Sequence, residues 1–202
     1  MNSRTSATSC ETLESRLERV EAHFDIQQLA VRYARSVDAR DIDALAALYS
    51  PSADYTRFGF SDALGPEGVR AMFDSDDVLT RFYRSMHQIC GHVVDLVDSD
   101  HAEGTVYCRV EHEDGDDWIV QLMVYFDRYI RVDGRWLFDD RQMAYLHTGD
   151  PRQSPQDAGF VSWPSRPDAH SRFRPTLPHR WKTWDEFWSR HRDQVAKRTS
   201  MS

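Results

Sequence analysis

The order of elements in this 202-residue chain predicts an α+β fold. Helical periodicity fills the first third, and the middle is a series of long alternating segments separated by short polar turns. Composition agrees: 40% of the residues are hydrophobic and 12% aromatic, enough for one core, and six Trp and ten Phe could furnish a pocket or a large interface besides.

Residues 1–12 are rich in Ser and Thr and are expected to be disordered. Leu13, Leu17, Val20 and Phe24 recur at steps of four, three and four, one face of a helix. Asp25 with Gln28 resembles a capping box, so a second helix could restart there, carried on by Ile26, Leu29, Ala30, Tyr33 and Val37 and ended by Asp38. Asp41 is placed to cap a short helix from Ile42 to Tyr49, which Pro51 stops. Ala53 to Phe60 reads as a short strand. Gly65-Pro66 opens another short helix with Val69, Met72 and Phe73 on its apolar side.

Four long strands are then predicted: about Tyr83 to Val97, Ala102 to Glu113, Trp118 to Val132 and Arg135 to His147. Asp-rich turns separate the first three, and Asp133-Gly134 is a strong two-residue hairpin signal before the fourth. The third strand is apolar on both faces and needs cover on both: helices on one side, a pocket or a subunit interface on the other. The domain is expected over residues 13–148. Residues 149–202 read as an extended arm, closed by an aromatic helix from Thr183 to Val195 with Thr183 and Glu186 as its capping box.

A net charge of −8 argues against nucleic acid as a partner, because phosphate binding needs a basic face. No run of eighteen apolar residues suggests a membrane span, and the N-terminus lacks the apolar core of a secretory signal. Cys10, Cys90 and Cys108 form neither a metal-ligand spacing nor a disulfide framework, which fits a reducing cytoplasm; Cys90 and Cys108 read as small buried residues. No glycine-rich phosphate loop appears. The expectation is a small-molecule substrate, no cofactor and no metal, in a homodimer or homotrimer that covers the open sheet face.

Two of the nine histidines stand out. His87 and His112 lie among apolar neighbours on adjacent predicted strands, whereas His92 has the opposite parity to His87 and should face away. Histidine titrates nearest neutrality, so it suits proton removal beside a carbonyl, and a buried carboxylate would fix its tautomer. Asp38 could supply that carboxylate, or be a helix-end turn residue; His112 could share the base role, protonate a leaving group, or be a solvated strand-end residue between Glu111 and Glu113.

The residues also carry a resemblance. Ile26-x-x-Leu29 with Tyr33, Val37-Asp38-Ala39-Arg40-Asp41, Leu48-Tyr49-x-Pro51, Gly65-Pro66-Glu67-Gly68, His87 and the stretch Tyr129 to Trp136 come in an order that resembles the nuclear-transport-factor-2-like superfamily, in its SnoaL-like and scytalone-dehydratase-like branch. That resemblance implies a cone-shaped α+β barrel, with N-terminal helices packed on a strongly curved mixed or antiparallel sheet enclosing a pocket. It implies a catalytic set of Asp38, Tyr55, His87 and His112, the last ending Arg109-Val110-Glu111-His112. Val37 and Tyr125 stand where scytalone dehydratases have Tyr and Asn; the related lindane-dehydrochlorinase type needs only an Asp–His dyad, which Asp38 and His87 match. Tyr33, Tyr49, Tyr107 and Tyr125 are the candidate substrate contacts. The implied activity is a cofactor-independent lyase, a dehydratase acting on a hydroxylated carbonyl compound such as a polyketide or steroid-like metabolite. An isomerase or cyclase using the same enolisation, and a non-catalytic binding or scaffold subunit, are the alternatives.

Overall fold

The computed structural model describes residues 12–191. Helix α1 (Leu13–Ala39) is one continuous helix of 27 residues, capped by the Thr12 hydroxyl, which accepts from the Ser15 amide. Asp25 does not restart it. The apolar face of its first half, Leu13, Leu17, Val20 and Phe24, is exposed, and the helix buries Ala22, Ile26, Leu29, Ala30, Tyr33 and Val37. Two stripes of apolar residues run along α1, and only one can face the sheet.

Helix α2 (Ile42–Ala46) is shorter than predicted, with Asp41 as its N-cap. The expected strand at 53–60 is absent; Thr56–Phe58 is a 3₁₀ turn that Arg57 ties to Asp140. Helix α3 (Gly65–Phe73) follows, with Pro66 in its first turn. The four long strands are β1 (Ser85–Leu96), β2 (His101–Asp114), β3 (Asp117–Val132) and β4 (Arg135–Gly149), joined as an antiparallel meander. Asp133 and Gly134 both take positive φ, the geometry of the tight turn that their identities announce. A short β5 (Val161–Ser162) adds in parallel to β4, so the curved sheet is mixed, with order β1-β2-β3-β4-β5, and does not close.

The core sits between α1, α2 and α3 and the concave face of this sheet. One irregularity decides which side chains enter it. The β1–β2 register slips between Ile89 and Gly91, a bulge that leaves Cys90 exposed and reverses the alternation beyond it. His92 therefore faces inward like His87, not away, and its Nε2 meets the Tyr129 hydroxyl at 3.0 Å. Gly104 makes room for that contact: a Cβ there would stand 2.9 Å from the Tyr129 ring and 3.0 Å from His92 Nε2.

The arm after β4 folds back on its own chain. Leu177 and Trp181 cover Val124, Phe126 and Ala144 on the convex face, so cover for that face of β3 comes from within the chain. Trp163, Ala169 and Phe173 pack with Ile119 at the other end, around a short α4 (Ala169–Arg172). The last described helix, α5 (Lys182–Ser189), starts at Trp181 with no side-chain cap, so Thr183 does not cap it, and it buries none of its residues; it ends before Arg190 and His191, and residues 192–195 of the predicted helix lie outside the described residues. Among the described residues no helix is long and apolar enough to cross a membrane.

Candidate active site

Asp38 ends the buried stripe of α1, and the chain turns sharply behind it. Arg40 takes a left-handed conformation with φ 59°, unusual for a residue with a Cβ. Its guanidinium holds the turn against β1, donating to the carbonyls of Val37 at 2.7 Å and Phe82 at 2.6 Å and to Ser85 Oγ at 2.8 Å. This clamp sets the Asp38 carboxylate against the start of β1. Oδ2 accepts the His87 backbone N–H at 2.8 Å, Oδ1 lies 2.7 Å from His87 Nδ1, and the Ser85 hydroxyl donates to Oδ1 at 3.0 Å. Burial alone would raise the Asp38 pKa, but the bonds from the His87 ring, its amide and Ser85 outweigh it and hold the carboxyl below its usual range. A charged carboxylate on Nδ1 puts the proton on that nitrogen and leaves Nε2 as the basic atom of His87.

His112 reaches the same corner from β2. Strand register pairs it with Ser85, on the face that His87 shares, and the two imidazoles are 6.0 Å apart. Its surroundings differ from those of His87. The ring is buried, stacked on Phe82 at 4.1 Å and backed by Trp163 from the arm. Nε2 is 3.0 Å from Gln121 Oε1, and Gln121 in turn donates to Thr148. Nδ1 is buried and bare of any partner. Burial first, then the neighbouring His87, pushes its pKa down to about 4, so at neutral pH His112 is an uncharged ring with Nε2–H engaged and an unused lone pair on Nδ1.

Both histidines line a cavity of about 880 Å³. Tyr33 and Tyr125 are in its wall; Tyr33 meets the His87 ring edge-on at 6.1 Å and Tyr125 at 5.8 Å. Burial raises both phenols, Tyr33 up to about 12, so both remain hydrogen-bond donors. The other predicted tyrosines are elsewhere. Tyr55 does not line the cavity, because the 3₁₀ turn that replaced the expected strand tucks its ring into the core against Tyr49 at 5.1 Å. Tyr49 is buried beneath it, on Phe138. Tyr107 is on the convex face, stacked against Trp181, because β2 turns Val106, Cys108, Val110 and His112 inward and the odd positions between them out. The arm completes the mouth with Arg166, Arg172 and Phe173; both arginines pair with Asp77 of the loop after α3.

Sequence reasoning missed three groups. Gln121 and Asp127 are polar residues at inward positions of β3, and that alternation was the available signal. Arg141 had none. It sits on β4 fully enclosed, gripping Asp127 with two bonds of 2.8 and 2.7 Å, with Tyr33, Tyr125 and Phe138 each within 4.3 Å of its guanidinium carbon. Tyr129 donates to the same carboxylate at 2.7 Å. Among the described residues no three His, Cys, Asp or Glu side chains converge as a metal site.

Helices packed across a curved, open sheet around a deep pocket define the cone-shaped fold of the nuclear-transport-factor-2-like superfamily. Within it the chain belongs to the SnoaL-like domain family, whose profile matches residues 18–142. Solved structures similar to it include a hexachlorocyclohexane dehydrochlorinase of LinA type 3 from Novosphingobium barchaimii, 25% identical with a TM-score of 0.59, covering 67% of this chain and 94% of that one. A protein from Novosphingobium aromaticivorans provisionally named a scytalone dehydratase is 19% identical with a TM-score of 0.57, covering 69% of this chain and 93% of that one. No curated protein matches the sequence.

Proposed function

We propose that the protein is a lyase that removes water from a hydroxylated carbonyl compound without a cofactor. The observation that carries this reading is the 2.7 Å contact between Asp38 and His87 Nδ1 beside an open cavity that mixes aromatic, aliphatic and polar side chains. That arrangement leaves one basic nitrogen facing a space large enough for a polyketide- or steroid-like molecule. His87 Nε2 takes the proton next to the carbonyl, and Asp38 stabilises the resulting imidazolium. Tyr33 and Tyr125 donate to the oxygen on which the enolate charge develops. The enolate electrons then form the carbon–carbon double bond, the β carbon–oxygen bond breaks, and the imidazolium returns its proton to the departing hydroxide, releasing water.

His112 enters this scheme as part of the cavity wall. A neutral ring whose Nε2–H is held by Gln121 has no proton to give, and its Nδ1 is enclosed, so the ring shapes the space beside His87 without adding charge to it. The dehydrochlorinase likeness supports the same class of step, since loss of hydrogen chloride is an elimination with a different leaving group.

The test is to incubate the protein with a panel of hydroxyketones and follow the products by mass. Loss of water that disappears in a folded His87→Ala variant is the expected result. Products of unchanged mass would replace the lyase with an isomerase or cyclase, and near-normal turnover in His87→Ala would remove His87 from the mechanism.

A further inference from the structure

The cavity and its chemistry account for one side of α1 only. On its other side Leu13, Leu17, Val20, Phe24 and Val31 are between 49% and 79% exposed, in a continuous line. Isolated exposed apolar side chains need no explanation, but a contiguous patch of this kind on a folded chain marks a contact surface. The spacing is informative. The steps are four, three, four and seven, with the exposed Gln27 completing the alternation, so the stripe repeats every 3.5 residues. A repeat of 3.5 keeps a seam facing one partner helix, whereas the set that packs on the sheet lies on the opposite side of the helix.

We propose that this stripe pairs with the same stripe of a second copy, the two α1 helices running parallel about a two-fold axis. With Leu17, Phe24 and Val31 at heptad position a and Leu13, Val20 and Gln27 at d, the exposed Arg16 falls at g and the exposed Glu21 at e. In a parallel, in-register pair the g residue of one helix meets the e residue five positions later on the other. Arg16 then faces the partner copy's Glu21, and two-fold symmetry makes the contact twice. An antiparallel pair centred on the seam would instead set Glu21 against its own copy. The charges flanking the stripe are therefore self-complementary in one orientation. The seam is too short to hold two free helices together, but α1 is already ordered by its packing on the sheet, so pairing does not carry the cost of forming the helix.

Sedimentation equilibrium of the full chain tests this, with circular dichroism as the control for folding. The wild type should be a dimer. Leu17→Glu, at an exposed position, should weaken dimerisation by at least about tenfold while leaving the spectrum unchanged, because it places two like charges across a seam that excludes water. Arg16→Glu should weaken it less, and adding Glu21→Arg to that variant should restore it. A monomeric wild type, or a dimer indifferent to Leu17→Glu, would overturn the proposal. Failure of Glu21→Arg to rescue Arg16→Glu would overturn the parallel register, and a trimer would overturn the two-fold pairing.

Discussion

Two buried ionic clusters lie on either side of Tyr33, and their fates differ. Asp38 and His87 stand at the cavity wall with side chains 18% and 7% exposed, and the histidine keeps one nitrogen uncommitted. Asp127 and Arg141 are 0% and 2% exposed, joined by two parallel bonds, and sealed by three aromatic rings and the Tyr129 hydroxyl. Both set a carboxylate against a nitrogen base on the same concave surface. One has an uncommitted nitrogen beside the cavity; the other has every carboxylate oxygen occupied, and its one unpaired atom, Arg141 Nη1, is buried. The two pairs therefore differ in access, and access to an uncommitted nitrogen is what makes the first the candidate for chemistry.

Four substitutions would sharpen or break this contrast. The largest effect should come at the open pair: His87→Ala should lower the elimination rate by about 10²–10⁴-fold with little change in thermal stability. The sealed pair should behave in the opposite way. Asp127→Asn leaves a buried guanidinium without its counter-charge and should cost about 3–5 kcal/mol in chemical denaturation; equal stability to wild type would show that the cluster does not hold the sheet to α1.

His112 offers a pH signature of intermediate size. Its folded pKa of about 4 lies below the 6.5 of the free side chain, so the unfolded chain binds the extra proton first as pH falls. Stability should decline from about pH 7 toward pH 4 by as much as about 3 kcal/mol, and His112→Gln should flatten that decline. A profile unchanged by the substitution would show that the ring charges as readily in the fold as outside it. The smallest effect should be Ser85→Ala. It removes one of three donors to Asp38 at about 0.5–1.5 kcal/mol, seen as a modest rise in the apparent pKa of the pH–rate profile rather than as loss of activity.

The resemblance placed His87 beside Asp38 from position alone, and the two are in contact. Strand parity holds where strands are regular: on β2 His112 faces in and Tyr107, of opposite parity, faces out, so parity alone separates these two candidates. It failed at His92, because the bulge at Cys90 adds one residue to β1, and its one local sign, the glycine at position 91 inside a strand, was not used. It failed at Tyr55 for a different reason. Alternating residues at 53–60 suit a strand, but the segment is tied across the molecule by Arg57 to Asp140, a contact that local propensity does not contain.

By itself, then, the amino-acid order determined the local quantities: where the long strands and most helices run, which turns join them, and that residues 13–37 carry two sets of helically spaced apolar residues. Turn chemistry and side-chain period are properties of neighbours in the chain. Which stripe α1 buries, which tyrosines reach the cavity, how the arm closes its mouth, and how His112 loses its charge were decided by tertiary structure alone. Each depends on partners outside the local segment, as Gln121 is brought to His112 across the hairpin and Trp163 from the arm, and burial and pairing of that kind set both orientation and protonation.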